Sequence, residues 1–149
     1  GGDISRWKPE TRESADHSLP FVMAVALMDG NLEIRHYDEE HYKKDNVREL
    51  MSKIQVEVGE ESSKAWPDVP LNVLTIETNS GEKYSTKVAF HLGHYERLMT
   101  NEQLENKFRP MALQYGELSE DQLNELLSKL WNLESVNNID EVIELTARK

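Results

Sequence analysis

Residues 19–28 read LPFVMAVALM, a run without a charged or hydrogen-bonding side chain. As a helix it is apolar on every face, and such a helix is enclosed by protein on all sides, because a surface helix keeps a polar face to water. The run is about half the roughly 20 residues that a membrane span needs, so protein rather than lipid is its expected surrounding. Ser18 is placed to cap it, and Pro20 suits its first turn, where a missing N–H costs nothing. Asp29 and Gly30 read as its stop.

The stretch leading into this run is polar and crowded with Arg12, Asp16 and His17. A helix start offers unpaired amides and partial positive charge to an anion. Arg12 can grip the same anion with two parallel hydrogen bonds, and His17 can move a proton near neutral pH. The expected ligand is a small anionic molecule. Read alone, a histidine at the start of a buried helix is more often a satisfied structural group than a catalyst, and Asp16 either orients His17 or caps the helix.

Composition narrows the functional classes. The chain has 149 residues, enough for one compact domain or a domain with an appended piece of another. Its 28 acidic and 17 basic residues give a formal charge of −11, which argues against a nucleic-acid surface and against an anionic membrane. That field also repels an anionic substrate at long range, so a carboxylate site needs local cations, and Arg6, Lys8 and Arg12 form such a group. Lys8 and Arg6 also read as solvated surface charges. With no cysteine, disulfides and thiolate metal sites are excluded, and an iron–sulfur cluster would need ligands from elsewhere. No signal-peptide pattern is present, and the cytoplasm is the expected compartment.

Beyond Gly30, residues 31–44 are polar with interspersed aromatics and histidines. Asp45 is expected to cap a short amphipathic helix through Lys53. Alternation at Ile54, Val56 and Val58, again over residues 71–78, and again at Tyr84, Thr86 and Val88 predicts strands. Asn79, Ser80 and Gly81 predict a hairpin between the latter two. Residues 59–70, with Trp66, Pro67 and Pro70, read as an ordered loop, and the acidic run at 57–61 reads as solvated. Thr100 with Gln103 and Ser119 with Gln122 are capping boxes. Leu104, Phe108, Met111, Ala112 and Tyr115 then share a helix face, and Gly116 ends that helix. Leu123, Leu126, Leu127 and Leu130 form a second stripe, and a last short helix lies around Ile139, Val142 and Ile143. Segregation of the strands from most helices makes the fold α+β.

The runs ETRESADHSLP at 10–20 and AVALMDG at 24–30 closely resemble the second domain of the MmgE/PrpD family, which includes 2-methylcitrate dehydratases, cis-aconitate decarboxylase and iminodisuccinate epimerase. DNVRELMSKI at 45–54 and GHYERLMTNEQLENKF at 93–108 are similar to later segments of that domain and follow in the family's order. The resemblance implies a small lid domain over residues 1–108, followed at 109–149 by helices that pack on a large N-terminal helical domain. That helical part is absent from this sequence, so the expectation is either the C-terminal portion of a longer polypeptide or one subunit of a split enzyme, assembled as a homodimer.

The family's reactions move a proton at a carbon next to a carboxylate, which calls for a base at the carbon and cationic or hydrogen-bonding groups at the oxygens. By resemblance, Arg12 is a substrate-carboxylate ligand, His17 is the catalytic histidine, and Asp16 is a possible orienting residue. No cofactor is implied. The substrate is a small tri- or dicarboxylate, and the leading activity is elimination of water from 2-methylcitrate without a metal. Alternatives are decarboxylation of cis-aconitate, epimerisation of iminodisuccinate, or a non-catalytic subunit that binds a separate helical partner. His36 and His41 flank three carboxylates, and His91 and His94 have ligand-like spacing. Neither pattern fixes a third ligand, and the expectation is no metal, with a structural or cleft-edge role open for His94.

Overall fold

Thr11 and Ser14 start the first helix of the computed structural model, which describes residues 6–147. The Ser14 amide donates to the Thr11 hydroxyl at 3.2 Å, and the Thr11 amide donates to the Ser14 hydroxyl at 2.9 Å. This reciprocal pair satisfies donors that have no partner inside the helix. Helix α1 (Arg12–Asp16) follows, and Ser18 caps α2 (Leu19–Asp29) by accepting from the Phe21 amide at 3.2 Å. Gly30 closes α2 at φ 74°, a left-handed conformation that a side chain disfavours. The Ser18 hydroxyl, fully buried, also donates to the Arg6 carbonyl and so ties the polar leader to the start of α2. Ser18→Ala removes the cap and the bond to the Arg6 carbonyl, an expected loss of about 1–2 kcal/mol of stability. Urea denaturation checks it, and an unchanged midpoint would show the cap to be dispensable.

The chain divides between Gly59 and Glu60 into two compact units. In the first, α2 is followed by a single 3-10 turn (Ile34–Tyr37), α3 (Glu39–Tyr42) and α4 (Asp45–Ser52). Phe21, Ala24 and Val25 of α2 pack with Ala15, Tyr42, Val47 and Met51 to form its core. The Phe21 ring meets the Tyr42 ring edge-on at 6.3 Å between centroids. Arg48 of α4 donates to the Pro9 carbonyl at 3.4 Å and to a Glu10 carboxylate oxygen at 3.2 Å, strapping the leader onto the core.

Enclosure of α2 on every face is not what the described residues provide. Leu19 is 52 %, Leu27 44 % and Met28 41 % exposed, so the core covers the middle of the helix and leaves apolar side chains at both of its ends uncovered. Asp45 likewise does not cap α4. Lys44 occupies the cap position, and Asp45 is the first helical residue, where its charge suits the positive end of the dipole.

In the second unit, α5 (Glu60–Ala65) occupies part of the segment expected as loop, with Lys64 and Glu60 paired at 2.6 Å across one turn. Lys87 of the hairpin reaches Glu61 of that helix at 2.6 Å. Strands β1 (Asn72–Glu77) and β2 (Lys83–Val88) pair antiparallel, with Leu74 opposite Thr86 and Ile76 opposite Tyr84. Gly81, at φ 85°, turns the connection as its position in the sequence predicts. The strand expected at Ile54, Val56 and Val58 does not form. Those residues have no ladder partner among the described residues, and Val58 is 87 % exposed; alternation without a partner makes no sheet.

Helices α6 (Asn101–Gln114), α7 (Glu120–Trp131) and α8 (Asp140–Leu145) complete the chain. Both expected capping boxes are formed. Leu123, Leu126 and Leu127 are buried with Ala112, Leu118 and Val142, whereas Leu130 and Trp131 remain exposed. On α6 only Ala112 of the predicted stripe is buried, although α7 reaches back along that helix as far as Glu105, to which the Trp131 indole donates at 2.8 Å. The expected boundary between residues 108 and 109 falls inside α6. Helices and a separate two-stranded hairpin give an α+β fold. Among the described residues no helix is long and apolar enough to cross a membrane.

Candidate functional site

Helix α1 carries the residues singled out for chemistry, and it is fixed at its start and by its buried face. The Thr11–Ser14 box holds its start, and Ala15, fully buried, presses its middle into the first core. Arg12 is its first residue and His17 its C-cap. Five positions separate them, about 7.5 Å along a helix axis and about 140° around it. Both are exposed, and no contact joins them among the described residues.

The hydrogen bonding of His17 assigns its protons. Its Nδ1 lies 2.9 Å from the Glu13 carbonyl oxygen, and a carbonyl only accepts, so Nδ1 carries the hydrogen. In the neutral ring Nε2 then presents a free lone pair. This is the tautomer a general base requires, held by a second group in the way that catalytic histidines commonly are. Asp16 is not that second group. It accepts a hydrogen bond from the Tyr37 hydroxyl, and burial first, then the Asp16 charge and hydrogen bond, raise the Tyr37 phenol above its usual range. Asp16 therefore ties α1 to the 3-10 turn, and the Glu13 main chain orients His17.

The Arg12 guanidinium makes no ion pair or hydrogen bond with another described residue. It is thus available to a ligand carboxylate. Its charge acts on the neighbouring Glu13 carboxyl, which is held below its usual range chiefly by hydrogen bonds from its own backbone amide and from the Thr11 hydroxyl, and to a smaller degree by Arg12.

The amide cradle expected at the start of α2 is mostly spent. Pro20 has no N–H, and that of Phe21 donates to Ser18, which leaves Leu19. Anion binding beside His17 therefore rests on Arg12 and on the helix dipole more than on a ring of amides. Of the other cations, Arg6 gives its carbonyl to Ser18, and Lys8 is exposed.

Two other places in the chain do not make a carboxylate site. His94 stacks on Phe90 at 4.7 Å, lies 4.3 Å from the Tyr95 ring and accepts the Glu96 amide at 3.1 Å, so it shapes its own loop. A shallow recess of about 250 Å³ beside α7 is lined by Lys129, whose ammonium is taken by Glu141 at 2.7 Å.

Comparison with known proteins agrees with the motifs in α1 and α2. A family model described as the MmgE/PrpD C-terminal domain matches residues 2–133. Cis-aconitate decarboxylase of Mus musculus is 23 % identical over 142 residues, which is 95 % of this chain and 28 % of the relative. Cis-aconitate decarboxylase of Homo sapiens is 25 % identical over 135 residues, 91 % of this chain and 27 % of the relative. The chain thus spans little more than a quarter of these relatives. The family match runs unbroken from the segment before α1 to the end of α7, and on it this chain belongs to the MmgE/PrpD family, as its C-terminal domain.

Proposed function

We propose that this chain is the lid-bearing part of a lyase that acts on a small tri- or dicarboxylate without a metal in its chemistry, and that His17 exchanges the proton while Arg12 holds a carboxylate. The observation that carries the reading is the His17 ring, exposed, with Nδ1–H tied to the Glu13 carbonyl and Nε2 open to a ligand. In water elimination, Nε2 takes the proton from the carbon beside a carboxylate, the electron pair forms the double bond, and hydroxide leaves with a proton from a second acid. In decarboxylation the carbon–carbon bond electrons are left on the substrate as CO₂ departs, and a protonated Nε2 delivers the proton. One histidine in this tautomer serves either direction.

Dehydration of 2-methylcitrate is the first reading, on the resemblance to the family's commonest activity. Decarboxylation of cis-aconitate is the second, favoured by the activity in the names of both relatives. Epimerisation of iminodisuccinate uses the same proton step. In each case a helical domain or subunit outside this sequence forms the facing wall of the cleft. The exposed Leu19, Leu27 and Met28 of α2, and the free ends of the α6 and α7 stripes, suit burial against it. The proposed assembly is a cytoplasmic homodimer.

The test is to offer the full-length protein both tricarboxylates, following enoate absorbance for water loss and CO₂ release for decarboxylation. The 149-residue chain alone is expected to be inactive on each, since a lid supplies one wall of a cleft. Turnover by this chain alone would place the whole reaction within it. Failure of the full-length protein on both acids would overturn the substrate assignment.

A further inference from the structure

Asp29 ends α2 with its carboxylate at the negative pole of the helix, where the dipole favours a cation. Two histidines from the following turns converge on it. His36 Nε2 lies 3.3 Å and His41 Nε2 3.6 Å from the same Asp29 oxygen. The three donor atoms all lie within 4.8 Å of one another. His36 is fully buried, and its Nε2, aimed into this cluster, has no hydrogen-bond partner. A buried imidazole nitrogen is rarely left in that condition without a reason.

The geometry points to a divalent transition-metal site built by Asp29, His36 and His41. Donors bonded at about 2.0–2.2 Å around a tetrahedral zinc ion are roughly 3.3 Å apart, close to the two separations to Asp29. Asp29 is 35 % and His41 18 % exposed, which leaves a side open for the ion and for a solvent ligand. The donor set of two imidazoles and one carboxylate suits Zn²⁺ and Co²⁺.

Binding requires one proton to move. His36 Nδ1 accepts the Glu33 amide at 2.7 Å, so the neutral ring carries its hydrogen on Nε2. When Nε2 binds the ion, that hydrogen passes to Nδ1 and the Glu33 amide bond is given up. His41 Nδ1 lies 3.3 Å from the Lys44 ammonium, which must likewise turn away.

The site lies at the far end of α2 from Ser18, about 16 Å along an 11-residue helix. Its role is structural. It pins the end of α2 to the 3-10 turn and α3, independently of the proposed reaction at His17.

The test is titration of the chelator-treated 149-residue chain with Co²⁺ and Zn²⁺. One equivalent of Co²⁺ should give the visible bands of a four-coordinate ion, Zn²⁺ should displace it, and imidazole ¹⁵N spectra should show the His36 hydrogen moving to Nδ1. Either His41→Ala or Asp29→Asn should weaken binding roughly 100-fold or more, since loss of outer partners alone costs 10–100-fold. His94→Ala should bind normally, and circular dichroism should show all three variants folded. Absence of binding, or binding that survives both His41→Ala and Asp29→Asn, overturns the site and leaves the three groups as a hydrogen-bonded lock.

Discussion

Exchanging His17 for alanine in the full-length enzyme is expected to lower kcat by about 10²–10⁴-fold, the range that a positioned acid or base contributes. The exposed ring supports no core contact, so the variant should fold and melt as the parent does. Arg12→Ala should behave differently. Its guanidinium is assigned to a substrate carboxylate that is already charged before reaction, so most of its loss should fall on KM. Steady-state kinetics of both variants against pH separate the roles, because the acid limb of the kcat/KM profile belongs to the group that must be unprotonated. Retention of that limb and of parental kcat in His17→Ala would assign the proton transfer to another residue.

Phe21→Ala is expected to cost about 3–5 kcal/mol, the loss seen when a buried aromatic is cut to a methyl group. Phe21 is fully buried at the centre of a small core, in ring contact with Tyr37, Tyr42 and His41. Denaturant unfolding of this chain should show the first unit melting early. Leu27→Ala, at 44 % exposure near the end of α2, should change the same measurement by only about 0.5 kcal/mol. In the full-length protein Leu27→Ala should become distinctly more costly, because that apolar end would then be covered. Equal small losses in both backgrounds would remove α2 from the interface with the helical domain.

The capping boxes at Thr100 and Ser119, the Gly30 stop and the Gly81 hairpin were legible in the sequence because each depends on contacts within a few residues. The leucine stripe of α7 was legible because a period of 3.6 persists over several turns. What lay outside local pattern was misread. Val56 and Val58 alternate as a strand does, but a strand is made by its neighbour, and none is supplied among the described residues. The Glu60–Ala65 helix has no apolar stripe to announce it, and the pairs Lys64–Glu60 and Lys87–Glu61 are solvent-exposed. At the site, the match between residues 10–20 and a known motif drew attention to Arg12 and His17, while the partner of Asp16 depended on Tyr37, distant in sequence. Asp29 escaped as a third metal donor for the same reason: spacing ties His36 to His41, and only the turn after Gly30 brings both back to the end of α2.

The bond from His17 to the Glu13 carbonyl has a genetic consequence. A carbonyl is present whichever amino acid occupies position 13, so on the proposed role of His17 a substitution scan would find the histidine sensitive and its orienting partner silent. Sequence drift at position 13 is then free of that duty, and what selection must preserve is the path of the main chain from 13 to 17.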